Sequence, residues 1–332
     1  MKRALADAQL ERYLAQMKFS PLDLNVAGLR SGADERGRHR ARGPEMYELR
    51  DLRIGRLRAR LYRPAPGDTP LLIYLHGGGW TIGNLETHDR MCRRLASQSR
   101  VAVLAVEFRL APEHPWPASV DDAVAAVLWA TSGPPELDPR PSAVAIGGDS
   151  SGGTLATLAC IRLRDNGSDS ALSLQVLLYA NTDLTGSQPS MTEMAHGWGL
   201  DADAVRFFAS QWVPDLSKWA DPRVSPLFVS NLSTLPKALV VTAEFDPLRD
   251  EGEAYAARLA KAGVEVVLRR EVGLIHGFMT LDEVSPACAM AAERVAHDLG
   301  GLLNSEPSPG REKRVDQIEV HGGDEPATNP RV

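Results

Sequence analysis

The stretch Gly148-Asp149-Ser150-Ser151-Gly152-Gly153 follows the apolar run Ala143-Val144-Ala145-Ile146 and precedes Thr154-Leu155-Ala156-Thr157-Leu158-Ala159. The first run reads as a strand and the last as a helix. A G-x-S-x-G match gains meaning from that context, because a sharp strand-to-helix turn lifts the central hydroxyl above the sheet edge. Gly148 and Gly152 flank Ser150 in the required frame, whereas a frame centred on Ser151 would need glycine at 149, where aspartate stands. Ser150 is therefore the candidate nucleophile. A side chain at either flanking glycine would meet neighbouring backbone, and the turn needs unusual dihedrals. Six residues of this composition also fit a plain Gly/Ser-rich connection without chemistry, so the rest of the chain has to decide.

Outward from the turn, continuous apolar runs alternate with helical stretches. Residues 71–75, 101–106, 143–146, 172–179, 238–242 and 264–269 read as strands. Residues 86–99, 119–131, 151–164, 249–262 and 285–303 read as helices, the second opening on Ser119-Val120-Asp121-Asp122 as a capping-box variant. Strands buried on both faces and joined by helices mean a parallel sheet. Residues 46–64 alternate apolar and polar around Gly55, the period of an antiparallel hairpin at a sheet edge. Residues 4–19 read as a helix with Leu10, Leu14 and Met17 on one face. The polar, Gly- and Arg-rich residues 20–45 read as loop, including the Arg-rich segment from Arg36 to Arg42. The alternation breaks over 184–225, which holds a helix near 201–213 but no strand pattern, and so reads as an insertion. Residues 305–332 are polar with few large apolar residues and read as a disordered tail.

A serine nucleophile needs a base, an orienting acid and donors for an oxyanion. Each has a candidate at the C-terminal end of a strand, where open α/β sheets place their ligands. Donors come from His76-Gly77-Gly78-Gly79-Trp80, whose glycines let the backbone fold close to a ligand, and from the Ser151 N–H at a helix start. No phosphate-loop or dinucleotide fingerprint accompanies these glycines. His76 itself reads as a loop-shaping hydrogen bonder. The base is His276 in Gly273-Leu274-Ile275-His276-Gly277-Phe278, with His196 in the insertion as its rival. The acid is Asp246, in the loop before Pro247, while Asp250 falls inside the following helix and reads as serving its first turn. The order Ser150, Asp246, His276 is the one the α/β-hydrolase fold imposes.

Composition narrows the classes. A chain of 332 residues with 43% hydrophobic and 24% charged residues has ample material for a large core. A net charge of -6 favours neither nucleic acid nor an anionic membrane surface. Cys92, Cys160 and Cys288 lie far apart, without metal spacing or a disulfide framework, which fits a reducing compartment. No apolar signal region follows Met1-Lys2-Arg3 and no run is long enough to span a bilayer, so the expectation is a cytoplasmic protein.

The sequence resembles the hormone-sensitive-lipase-like carboxylesterases, bacterial lipase family IV. The residues that carry the likeness are His76 to Trp80, Arg109-Leu110-Ala111-Pro112-Glu113, Gly148 to Gly153, Asp246-Pro247-Leu248-Arg249-Asp250 and His276-Gly277-Phe278. They span about 76–278 in the family's order. The resemblance implies an α/β-hydrolase fold: an eight-stranded, mostly parallel sheet with helices on both faces and a helical cap. The cap would be formed by 1–45 with 184–225, over a catalytic domain of 46–183 and 226–304. It also implies a serine esterase with no cofactor and no metal. Trp198, Phe207, Phe208 and Trp212 in 184–225, with Tyr13 in the first helix, would close a short apolar pocket, so short- to medium-chain carboxylic esters are the expected substrates. Oxyanion donors would be the N–H groups of Gly78, Gly79 and Ser151, with Arg109 to Trp116 a structural link beside the site. Dimers through the last strand are common in this family, so a homodimer is expected. Two departures stand out. Ser151 replaces the usual alanine, and Ala180-Asn181 stands where proline and an apolar residue are common. A non-catalytic small-molecule-binding protein on the same fold is the first alternative, and the presence of His276 argues against it. An amidase or peptidase using the same triad is the second.

Overall fold

β1 (Glu48–Ile54) and β2 (Leu57–Arg63) form the expected hairpin about Gly55, which takes a positive φ of 58°. β2 then pairs antiparallel with β4 (Ala102–Glu107). From β4 onward the sheet is parallel, running through β3 (Leu71–Leu75), β5 (Val144–Asp149), β6 (Leu172–Leu178), β7 (Lys237–Phe245) and β8 (Val266–Ile275). The structure, a computed structural model, describes residues 4–17, 25–168 and 172–304. The tail expected over 305–332 lies outside the described residues. No helix among them is long and apolar enough to cross a membrane.

The two-residue period of the strands sorts their side chains onto two faces. Leu71, Ile73 and Leu75 of β3 enter one core, with α4 (Ala118–Thr131), α5 (Ser151–Asp165) and α8 (Arg249–Lys261). Leu72 and Tyr74 enter the other, with α3 (Asp89–Ser99) and α9 (Pro286–Asn304). This double burial is why these strands read as continuous apolar runs. Cys92, Cys160 and Cys288 are buried and unpaired within these layers.

Besides the last strand, which runs on to Ile275, three readings need correction. The segment expected to be loop holds a helix, α2 (Val26–His39), with Asn25 as its N-cap accepting from the Gly28 N–H at 2.7 Å. Arg36 to His39 are helical, not loop. Glycines at 28, 32 and 37 lower helix propensity, but tertiary contacts override it. The Arg30 guanidinium donates to the Glu113 carboxylate at 2.7 Å and to the carbonyls of Thr81 and Ala111 at 2.9 Å. The expected capping box at Ser119 is absent: α4 starts at Ala118 without a side-chain cap. Ser119 Oγ instead accepts from Trp212 Nε1 at 3.0 Å, and Asp122 takes the Arg109 side chain at 2.8–3.0 Å. Finally, the N-terminal helix expected from residue 4 starts at Ala8 and runs Ala8–Gln16 (α1) with Asp7 as N-cap, while residues 18 and 19 lie outside the described residues.

Residues 184–225 contribute α6 (Ser190–Glu193) and α7 (Ala202–Trp212) and no strand. Besides the Trp212 indole bond to Ser119, two further contacts tie α7 to the rest of the chain. Trp212 stacks on Trp80 at 4.3 Å between ring centres, and the Trp116 N–H donates to the Trp212 carbonyl at 2.9 Å.

Candidate active site

Ser150 stands between β5 and α5 with φ 53° and ψ −122°, a conformation that costs a non-glycine residue on the order of 1–3 kcal/mol. Neighbouring backbone holds it there. The Ser150 N–H donates to the Leu178 carbonyl at 2.8 Å, and the Ser150 carbonyl accepts from Gly153 at 3.0 Å. A Cβ on Gly148 or Gly152 would collide with the Leu75 carbonyl, so glycine at both positions lets β3 and the start of α5 close on the turn.

His276 follows β8 and reaches back across the sheet. Its Nε2 lies 3.0 Å from Ser150 Oγ and its Nδ1 2.8 Å from Asp246 Oδ2. Asp246, fully buried after β7, also accepts from the Leu248 N–H at 2.8 Å through Oδ1. The carboxylate thus has one oxygen fixed by backbone and the other by imidazole, which sets the ring's orientation. Tyr179 packs its ring edgewise against His276 at 4.9 Å. The structure brings Ser150, Asp246 and His276 together and leaves His196 outside, exposed and 3.9 Å from Asp201. Asp250 reaches further than its own first turn: its Oδ2 accepts from the Ser190 N–H at 2.9 Å, joining α8 to α6.

The loop after β3 turns through positive φ at Gly78 (122°) and Gly79 (59°). A Cβ on Gly79 would meet the Phe208 ring of α7, so the loop lies directly under that helix. Ser151 opens α5, where an N–H has no helical acceptor four residues earlier. His76 is buried, with Nδ1 2.9 Å from the Gly77 carbonyl and its ring stacked on Phe108 at 4.4 Å. Burial, with His88 nearby, pushes its imidazole down to about 4, so it is neutral at physiological pH. Its surroundings match a loop-shaping role.

Asp149 is the residue that sequence reasoning missed. Its Oδ1 accepts from the Gly77 N–H at 2.8 Å and from the Tyr74 hydroxyl at 2.6 Å, with His88 Nε2 at 3.6 Å. Burial alone would raise this carboxyl. His88, Tyr74 and Gly77 outweigh it and hold the group at about 2. A single carboxylate therefore ties the glycine loop to the residue preceding Ser150. The signal was present in Gly-Asp-Ser, but nothing in the pattern says what Asp149 binds.

A cavity of about 310 Å³ opens on Ser150 and His276. Leu29 and Ala33 of α2 line it, as do Val205 and Phe208 of α7. Among the aromatic side chains of α1 and of 184–225, Tyr13 and Phe208 line the cavity. Trp212 is fully buried against Trp80, and Trp198 stacks on Phe245 at 4.3 Å. No group of three or more potential metal ligands exists among the described residues.

Comparison with known proteins agrees with this architecture. Residues 72–280 match the model of a family described by the alpha/beta hydrolase fold. The carboxylic ester hydrolase LipN of Mycobacterium tuberculosis is 44% identical over 274 residues, covering 79% of this chain and 73% of that protein. The ethyl acetate hydrolase of Pseudomonas putida is 39% identical over 232 residues, covering 69% and 73%. The solved esterase of Pyrobaculum calidifontis superposes with a TM-score of 0.83 at 38% identity, covering 89% of this chain and 98% of the other. The chain belongs to the α/β-hydrolase fold family, in its hormone-sensitive-lipase-like branch.

Proposed function

We propose that the chain is a serine carboxylesterase that hydrolyses short- to medium-chain carboxylic esters through an acyl-enzyme. The observation that carries this reading is the bridging imidazole, 3.0 Å from Ser150 Oγ and 2.8 Å from Asp246 Oδ2. Ser150 attacks the ester carbonyl while His276 Nε2 takes its proton and passes it to the leaving alcohol. Asp246 holds the ring with Nε2 facing the hydroxyl and stabilises the imidazolium. Water then attacks the acyl-enzyme through the same base. The N–H groups of Gly78, Gly79 and Ser151 receive the oxyanion, helped at Ser151 by the α5 dipole. None of these steps calls for a cofactor.

In the same reading, residues 1–45 and 184–225 form a cap over a catalytic domain of 46–183 and 226–304, with α2 and α7 as its roof. Three unpaired, buried cysteines suit a reducing, cytoplasmic compartment. β8 ends the sheet, with the Ala6 N–H on its Gly273 carbonyl at 3.0 Å, and its outer edge over Val266 to Arg269 is the proposed homodimer contact. Light scattering at micromolar concentration tests it, and a monomer mass removes it. The test of function is release of p-nitrophenol from p-nitrophenyl butyrate by the purified chain, lost in Ser150→Ala. Parallel amide substrates separate an esterase from an amidase.

A further inference from the structure

Ser151 and Asn181, two of the residues at which the chain departs from the family it resembles, stand in the wall of the Ser150 cavity. Both residues line it. Both are buried, at 1% and 3% exposure. Ser151 Oγ and both amide atoms of Asn181, Oδ1 and Nδ2, have no hydrogen-bond partner among the described residues.

The main chain around Asn181 is held at three points. Its carbonyl accepts from Thr154 Oγ1 at 2.5 Å, and the next two N–H groups, of Thr182 and Asp183, donate to Glu251 Oε1 at 2.5 and 3.3 Å. Thr154 is one helical turn from Ser151 on α5, so the bond that pins Asn181 also sets it along the helix edge that carries Ser151. The backbone is clamped and the side-chain amide is the part left over. A buried amide without partners is unfavourable in a wall that an apolar residue of similar size would fill at no such cost.

We propose that Asn181, with Ser151 on the adjoining turn of α5, forms a polar subsite that selects esters carrying a hydroxyl or carbonyl oxygen close to the scissile bond. This rests on the ester-hydrolase reading above. The amide offers one donor edge and one acceptor edge beside the cavity. The Ser151 hydroxyl serves as donor or acceptor as required. A wholly apolar substrate leaves these atoms unpaired, whereas an oxygenated substrate satisfies them. Sites built to bind a hydroxyl discriminate against analogues that lack it far more strongly than apolar pockets discriminate by a methylene.

The experiment compares kcat/KM for near-isosteric pairs on each side of the ester. Ethyl 3-hydroxybutanoate is set against ethyl 3-methylbutanoate, and 2-hydroxyethyl butanoate against propyl butanoate. The expected result is a preference for the hydroxylated member of about tenfold or more in one pair. Asn181→Leu then brings that ratio to one or below. Should Asn181→Leu not fold, Asn181→Ala reads the same ratio. A wild-type ratio near one in both pairs, or a ratio untouched by substitution at Asn181, overturns the subsite. The esterase reading is judged separately, since p-nitrophenyl butyrate hydrolysis lost in Ser150→Ala stands whether or not the preference appears.

Discussion

Asp149→Asn removes a buried charge and keeps an acceptor oxygen, so it isolates what the charge contributes. The carboxyl sits at about 2 in the fold against an ordinary 3.8. That difference is worth roughly 2 kcal/mol of preference for the ionised form in the native state. The side chain is only 6% exposed, so solvent screening takes little from this figure. Because the folded value lies below the unfolded one, the stabilisation is complete above about pH 4 and is lost as pH falls from there towards 2. Urea unfolding at pH 7 should therefore show Asp149→Asn destabilised by about 2 kcal/mol, with the gap to the wild type narrowing on acidification below pH 4. Asp149→Ala should cost more, since it strands the Tyr74 hydroxyl and the Gly77 N–H, each worth about 1–3 kcal/mol when left buried and unpaired. Gly77 opens the loop proposed to receive the oxyanion, so the alanine variant should also lose about tenfold or more in kcat on p-nitrophenyl butyrate. An asparagine variant as stable as wild type at pH 7, or a gap that widens as pH falls, would refute the assignment of Asp149 as an ionised tie.

Other expectations follow from the site. Ser150→Ala, Asp246→Asn and His276→Ala should each lower kcat by roughly four to six orders of magnitude, and double variants little further, because the three act as a unit. His196→Ala should stay near wild type in the same assay, and the reverse pattern would remove His276 as base. Activity should fall on acidification as the base takes a proton; a pH–rate maximum below pH 5 would contradict an imidazole base. Acyl chains of about two to eight carbons should turn over best, each methylene adding at most about 1 kcal/mol until the pocket fills. The comparison is kcat/KM from p-nitrophenyl acetate to palmitate, and a maximum at palmitate would sink the idea.

The parts of the fold that were legible from sequence are those in which a short local pattern has one physical meaning. An apolar run ending in Gly-Asp-Ser-Ser-Gly-Gly states strand, turn and helix within a dozen residues, and Ser150 falls where that turn requires. The hairpin about Gly55 was equally direct, since two-residue alternation on both sides has no helical reading. What was missed depends on partners distant in the chain. α2 carries three glycines and a polar surface, and its hold on the structure comes from Arg30 reaching Glu113, Thr81 and Ala111. Ser119 looked like a cap until the Trp212 indole, 93 residues away, claimed its hydroxyl. The last strand was placed correctly but ended six residues early. Charged Arg270 and Glu271 broke its apolar pattern, while their ion pairs to Glu253 and Arg294 allow pairing with β7 to continue.

Three buried carboxyl groups near the C-terminal ends of these strands show how far identical chemistry is separated by surroundings. Asp149 gathers donors and is held ionised. Asp246 gives one oxygen to Leu248 and the other to His276, so its charge is directed at the imidazole. Glu251 is buried with Asp183 and Asp246 nearby, and burial first, then those neighbouring charges, push its carboxyl well above the ordinary range despite the Thr182 and Asp183 N–H groups. Oε1 accepts from two N–H groups, while Oε2 has no partner among the described residues. The turn carrying Asn181 is thus fixed by an acid whose charged form its surroundings disfavour. Of the three carboxyl groups, Asp246 is the one hydrogen-bonded to the His276 imidazole, the residue whose charge changes during the proposed reaction.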